Sequence, residues 1–300
     1  MNTYIVILTW NNVVDLRLCV ESIGANTLSA CKLILIENGS RPEERAEIKR
    51  IYDRLYDVPW ACLDTGHYYE AAFNEGIPAG QNRALAWLAE HETEPYGVVL
   101  LDADTVVEMD WLTKILAYAE AHPDVGIVGS AKSPGSPSHP VYHHTNGRWY
   151  VHDKQGQDPA RDFMEGESVD FACAYLRPEL LARGLRMDER YKIYDGYDQD
   201  MTFRVRSWGY RIVQIDAGVV HFGSAAMKAN NYQWSGGGHH EWSELRAKNV
   251  KRFATIWAPF LAPRRHSVKD EVGHMAAMNA KLFAEAGERS QIPGRGKEVP

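Results

Sequence analysis

The sequence predicts an α/β chain: a mostly parallel central sheet flanked by helices, with a small helical extension at the carboxyl end. Three observations carry this. Continuous apolar runs at residues 4–9, 32–37 and 97–101 read as strands buried on both faces. Stretches of helical spacing separate them, so successive strands form right-handed βαβ units. A chain of 300 residues with 45% apolar content has ample material for one large domain or two small ones.

A net charge of −7 with 24% charged residues argues against a broad basic face for nucleic acid or anionic lipid. No run approaches the length of a membrane span. The opening Met-Asn-Thr-Tyr-Ile-Val-Ile-Leu lacks a basic leader and reads as a first strand. The four cysteines are scattered without metal-binding spacing. Cys19, Cys31 and Cys173 lie in apolar surroundings, so reduced thiols and a cytoplasmic location are expected.

In chain order, the first strand leads into Trp10-Asn11-Asn12 and a helix carrying Leu16, Cys19, Val20 and Ile23 on one face. The second ends in Glu37-Asn38-Gly39-Ser40, where Asn-Gly demands a tight turn. A charged helix from about Glu43 and a short strand near 60–63 follow. No Gly-x-Gly-x-x-Gly succeeds the first strand, which counts against a dinucleotide-binding dehydrogenase. The segment from Asn74 through Gly76, Pro78 and Gly80 to Asn82 and Arg83 is a loop opening a helix. Free N–H groups and the Arg83 cation would suit an anion there, although for the segment taken alone a plain capped helix with a surface arginine is the better explanation.

The strand at 97–101 runs into Asp102-Ala103-Asp104. Ligands of open α/β sheets bind at the carboxyl ends of strands, and two carboxylates there can share Mg²⁺ or Mn²⁺ if the backbone bends. A helix over 109–121 and a strand over 125–129 come next. Residues 132–166 hold prolines, histidines and aromatics around a hairpin at 141–151 that turns on Asn146-Gly147. Residues 169–176 regain buried strand character.

Asp195, Asp198 and Asp200 crowd the start of a helix, more acids than capping needs. A strand at 211–215 and an apolar run from Val219 bring His221 to a strand end. A Gly-rich segment with His239 and His240 reads as a mobile flap before a helix to Trp257. The apolar stripe of Val268, Val272, Met275, Met278 and Leu282 suits packing on the body or a second subunit.

As an ordered set over residues 3–257, these motifs resemble family 2 glycosyltransferases of the GT-A fold, rhamnosyltransferase-like members most of all. The quoted matches are Thr9-Trp10-Asn11; Glu37-Asn38-Gly39-Ser40 against Asp-Asn-Gly-Ser; and Asn74, Gly76, Gly80, Asn82 and Leu85. They continue with Asp102-x-Asp104; Tyr197-Asp198-Gln199-Asp200 with Arg204 against Glu-Asp-x-Asp; His221-x-Gly223-Ser224; and Asn249, Arg252, Phe253 and Trp257.

The resemblance implies transfer of a hexosyl or deoxyhexosyl group from a nucleotide-sugar donor to a saccharide or other hydroxyl acceptor, by inversion. Donor contacts are expected from Thr9, Trp10, Asn11, Glu37, Asn38, Gly76, Gly80, Asn82, Arg83, Asp102 and Ala103. Asp104 with His221 would hold Mn²⁺ or Mg²⁺, while Asp102 orients the ribose or reaches the ion through water. The general base is Asp198 or Asp200. Pairing with Arg204 four residues on would lower the pKa of Asp200 and favour Asp198. Tyr142, Trp149 and Tyr197 are the expected acceptor contacts.

The expected domain division is a catalytic unit of 1–258, with a donor half to about 105 and an acceptor half carrying the insert, and an extension of 259–300. Two other readings stand beside this one. Asp102-x-Asp104-x-Val106 fits a haloacid-dehalogenase-like phosphatase with Asp102 as nucleophile, although that motif normally ends a first strand. A carbohydrate-binding protein that lost catalysis would not need both acid clusters and His221.

Overall fold

The computed structural model describes residues 2–55, 63–132, 141–145, 148–152, 163–166, 168–193, 195–223 and 239–257; for 63, 65, 141–145, 148–152, 163–166 and 239–243 the description is of backbone alone. The amino-terminal half alternates strand and helix: β1 (Asn2–Thr9), α1 (Val13–Asn26), β2 (Cys31–Glu37), α2 (Pro42–Arg54), β3 (Leu63–Glu70), α3 (Ile77–His91) and β4 (Tyr96–Asp102). Then follow β5 (Thr105–Val107), α4 (Trp111–Ala121), β6 (Val125–Gly129), β7 (Val141–Thr145), β8 (Arg148–His152) and β9 (Phe163–Gly166). The remainder is β10 (Cys173–Leu176), α5 (Pro178–Ala182), α6 (Tyr197–Ser207), β11 (Arg211–Ile215), β12 (Val219–His221) and α7 (His239–Trp257).

Eight strands form one sheet in the order β3-β2-β1-β4-β10-β6-β11-β9. The pairings β3-β2, β2-β1, β1-β4 and β6-β11 are parallel; β10 is antiparallel to both its neighbours, as β9 is to β11. Because β1, β2 and β4 are apolar at every central position, alternate side chains feed two separate cores. Tyr4, Val6, Ile34, Ile36, Val98 and Leu100 face Ala84, Leu85 and Leu88 of α3. Ile5, Ile7, Leu33, Leu35, Val99 and Leu101 face Leu16 and Ile23 of α1, Ile48 of α2 and Trp111 of α4.

Several boundaries differ from the sequence expectations. The strand expected near 60–63 is β3, over Leu63–Glu70. The helix expected from Met109 begins at Trp111, because Asp110 adopts a left-handed backbone (φ 64°). The strand expected over 169–176 starts only at Cys173, since Asp170 bends the chain by accepting the Ala172 N–H at 3.0 Å. His239 and His240 lie in the first turn of α7, and the Gly-rich segment before them, expected as a flap, lies outside the described residues. The hairpin of the insert is present as β7 and β8, with Thr145 opposite Arg148. The rest of the insert up to Asp162, and residues 258–300 with the expected stripe, lie outside the described residues. Among the described residues no helix is long and apolar enough to cross a membrane.

Candidate functional site

The site lies beyond the carboxyl ends of β1, β2 and β4, where parallel strands deliver their loops. After β4 the chain bends tightly. The Thr105 hydroxyl donates to the Asp102 carbonyl at 2.7 Å, and Asp102 N–H donates to the Ala172 carbonyl at 2.9 Å. Two residues apart, with Ala103 between them turned into the core, Asp102 and Asp104 face the same point. β5 then pairs antiparallel with β12, setting His221 opposite Thr105, next to Asp104. Phe222 N–H donates to the Asp104 carbonyl at 3.0 Å and fastens the two segments.

The result is a cluster in which one ligand atom each from Asp102, Asp104 and His221 lies within 4.8 Å of the others. His221 Nε2 stands 3.2 Å from Asp104 Oδ1 and 3.6 Å from Asp102 Oδ2. Burial alone would depress His221, but its bond to Asp104 and the charges of Asp102 and Asp170 push it up to about 9. Burial pushes Asp102 up to about 7, opposed by His221 and reinforced by Asp104 and Asp170. So many acids close together hold protons that a divalent cation would replace. Two carboxylates and an imidazole therefore fit such an ion. Ala103, by contrast, packs into the core beneath the sheet and is 5% exposed.

The second acid cluster sits at the start of α6. Asp198 is half-buried, and its Oδ1 accepts the Gln199 N–H at 2.9 Å. Burial raises its pKa well above the ordinary value, with Asp170 and Asp195 adding to the effect.

Asp200 is 1% exposed. It pairs with Arg204 as the spacing predicted, and it accepts the Trp257 indole N–H at 2.9 Å and the Tyr191 hydroxyl at 3.4 Å. The expectation of a lowered pKa is nonetheless wrong: burial outweighs Arg204 and Trp257 and raises it. Its separation from Asp198 comes from its committed partners instead. Tyr197, expected to touch acceptor, is buried in the core, edge-on to Phe171 at 6.3 Å.

Of the residues expected to contact donor, several brace the loops. Glu37 has no exposed surface; it accepts the Ser40 N–H at 2.5 Å and pairs with Arg45 at 3.1 Å. Asn38 bridges to the opposite loop through Asn74 Oδ1 at 3.1 Å and the Glu75 N–H at 3.2 Å. Asn11 holds the second-strand loop, its N–H donating to Ser40 Oγ at 2.9 Å and its Oδ1 accepting the Arg41 N–H at 2.8 Å. Thr9 is buried at the end of β1, and Trp10 beside it keeps partial exposure.

Gly76 precedes α3 with φ 87°, and a Cβ there would lie 2.7 Å from the Ile193 backbone nitrogen, so a side chain is excluded. Gly80 lets α3 settle against Leu8. Asn82 turns away and clips residues 187–189 through Met187 and Glu189. Arg83 is held by Glu75 at 2.7 Å rather than left to an anion. The side chains of Tyr142, Trp149, His239 and His240 lie outside the described residues.

Asp170 escaped the sequence reading. Its Oδ2 is 3.9 Å from His221 Nδ1, and its charge reaches Asp198 as well. The available signal was a lone acid inside the apolar run Val169-Asp170-Phe171-Ala172-Cys173.

The family described as Glycosyl transferase family 2 matches residues 4–183. No curated protein matches in sequence. Among solved structures, GalNAc-T7 with UDP, GalNAc and Mn²⁺ superposes with a TM-score of 0.62 at 14% identity, over 100% of this chain and 59% of that one. The mannosyltransferase PcManGT from Pyrobaculum calidifontis, in complex with GDP-Man and Mn²⁺, gives 0.55 at 16% identity, over 97% and 76%. S. aureus TarS 1-349 gives 0.50 at 11% identity, over 100% and 94%. The chain thus spans little more than half the length of the first of these. At such identities the likeness is one of fold, and that fold is GT-A.

Proposed function

The chain belongs to glycosyl transferase family 2, and we propose that it transfers a sugar from a nucleotide-diphosphate donor to an acceptor hydroxyl with inversion. The observation that carries this reading is the meeting of Asp102, Asp104 and His221 at the end of β4, with Asp198 on a neighbouring element. GalNAc-T7 and PcManGT, named with UDP and GDP-Man respectively and each with Mn²⁺, support it by analogy of fold.

Asp104 and His221, with Asp102 beside them, would hold a divalent ion; the imidazole favours Mn²⁺ over the all-oxygen preference of Mg²⁺. Such an ion neutralises charge on a diphosphate leaving group. Asp198 is the general base. A carboxyl held above its ordinary pKa by burial and by two acids accepts a proton more readily than a solvated one. The acceptor oxygen attacks the anomeric carbon, its proton passes to Asp198, and the bond to the diphosphate breaks on the opposite face. Asp200 has no such freedom, because Arg204, Trp257 and Tyr191 already hold it.

Residues to about 105 form the donor half and the following residues to 258 the acceptor half, with the 132–166 insert meeting the acceptor and 259–300 an extension through which copies associate. The buried thiols of Cys19, Cys31 and Cys173 suit a reducing, cytoplasmic setting. The phosphatase reading fails on topology: three strands precede β4 in sequence, and β1, not β4, opens the fold.

A thermal-shift series of nucleotide sugars with Mn²⁺ tests this reading. A true donor at about a hundred times its dissociation constant stabilises by roughly 2.7 kcal/mol. No stabilisation by any nucleotide sugar, with or without metal, would leave a scaffold without donor binding.

A further inference from the structure

A closed circuit of contacts surrounds the cation cluster, and one of its members, Asp170, is not among the ligands named above. Asp102 N–H donates to the Ala172 carbonyl at 2.9 Å, and Ala172 N–H donates to Asp170 Oδ1 at 3.0 Å. The other oxygen, Asp170 Oδ2, stands 3.9 Å from His221 Nδ1, and His221 Nε2 returns to Asp102 and Asp104 at 3.6 and 3.2 Å. Each nitrogen of the imidazole thus faces carboxylate. Turning the ring by half a rotation would present carbon atoms to all three acids.

We propose that Asp170 is a positioning residue: once a divalent ion takes the Nε2 side of His221, its carboxylate attracts Nδ1–H and holds the ring with Nε2 toward Asp102 and Asp104. This rests on the cation site proposed above and goes beyond it. The physical reason is general. A histidine that ligates through one nitrogen needs its proton on the other, and a carboxylate behind the ring fixes both tautomer and orientation.

Asp170 is itself well placed to do so. Its bond to Ala172 N–H fixes one oxygen in the bend that opens β10, so only the second is available to His221. The same bend supplies the carbonyl that receives Asp102 N–H. Backbone contacts hold the other side: His221 N–H donates to the Lys132 carbonyl at 2.8 Å. Both ends of the Asp170–His221 contact are therefore set by main chain rather than by side-chain packing alone. At 3.9 Å the contact is one of charge attraction, which is enough to bias a ring that can only flip between two orientations.

Asp170→Asn tests this in the full chain. The amide oxygen still accepts Ala172 N–H, so the bend is kept while the charge is lost. Mn²⁺ binding, followed by loss of the free-ion EPR signal, should weaken about 10–100-fold, the usual effect of losing a carboxylate behind a ligating histidine. With diamagnetic Zn²⁺ bound, nitrogen NMR of His221 should show Nε2 as the ligand in the wild type, and that ligand signal should weaken in the variant as the ring flips. Asp170→Glu should restore part of both.

Should Asp170→Asn fail to fold, Asp170→Ser keeps an acceptor for Ala172 N–H and carries the same two readouts. Wild-type Mn²⁺ affinity and an undiminished Nε2 ligand signal in either variant overturn the assignment and leave the cation site standing. If His221→Ala and Asp104→Asn also bind Mn²⁺ as the wild type does, the cation site itself is overturned, and this assignment with it.

Discussion

Asp198 and Asp200 stand two residues apart on α6, and their surroundings differ. Asp198 commits one oxygen to the Gln199 N–H and is otherwise pressed by Asp170 and Asp195. Asp200 is enclosed by Arg204, Trp257 and Tyr191. Asp198→Asn should cut transfer by roughly 10²–10⁴-fold with donor affinity kept, as expected for a lost general base. Asp200→Ala should instead destabilise the fold by about 3 kcal/mol. That is the low end for a broken buried pair, because Arg204 keeps some contact with water once its partner is gone. Denaturation curves and turnover of the two variants decide this; loss of rate without loss of stability in Asp200→Ala would exchange the roles.

The raised pKa values of Asp102 and His221 carry a sign as well. Both groups bind protons more tightly in the metal-free fold than they would alone, and a cation must displace those protons. Mn²⁺ affinity should therefore rise with pH until His221 is deprotonated near 9, with protons released on binding. A titration calorimetry series in buffers of different ionisation enthalpy measures the release, and an affinity that stays flat from neutral pH up to about 9 would contradict it.

At the scale of elements, the two loops that follow β2 and β3 behave as one piece. Gly39 has φ 75°, and a Cβ there would lie 2.1 Å from the Phe73 carbonyl carbon, so the Asn38-Gly39 turn is pressed against the 73–76 loop. Gly184 shares a left-handed backbone, φ 79°, but nothing lies within 4 Å of its would-be Cβ. Gly184→Ala should cost only the conformational strain, about 1–2 kcal/mol. Gly39→Ala should cost more and weaken donor binding too, since backbone must move. Equal melting temperatures for the two variants would show that the loops are not packed as described.

These elements also show what can and cannot be read from sequence. β1, β2 and β4 were legible because they are apolar at every central position, and β6 and β11 matched to the residue. β5 was not, because three residues joined to β12 by pairing alone carry no period of their own. The late start of β10 was missed because Phe171 and Ala172 are apolar for burial, not for strand pairing. The bend there is made by the Asp170 side chain, through its bond to Ala172 N–H. In the site, Asp102, Asp104, His221 and Asp198 could be named from motif order. That Glu37, Asn82 and Arg83 are occupied by Arg45, Met187 and Glu75 depends on contacts that join distant residues.

For the whole molecule, the sheet carries cores on both faces and the candidate site beyond the carboxyl ends of its inner strands. Each large apolar side chain that β1, β2 and β4 bury contributes about 1.5–3 kcal/mol, so the scaffold can tolerate the crowded acids of the cluster. The insert between β6 and β10 lies in sequence between the strands that end at the cation cluster and the element bearing Asp198. Replacing Tyr142 and Trp149 by Ala should raise the acceptor KM while donor hydrolysis persists. An equal loss of donor binding would place the insert at the other site.

The most direct measurement is the release of nucleoside diphosphate from a panel of nucleotide sugars, with Mn²⁺ present or removed by EDTA, for the wild type and Asp104→Asn. Release by the wild type with at least one donor, abolished by EDTA and by Asp104→Asn while the fold persists, is the predicted result. Undiminished release in EDTA, or an Asp104→Asn enzyme as active as the wild type, would contradict a cation-held diphosphate at Asp102, Asp104 and His221.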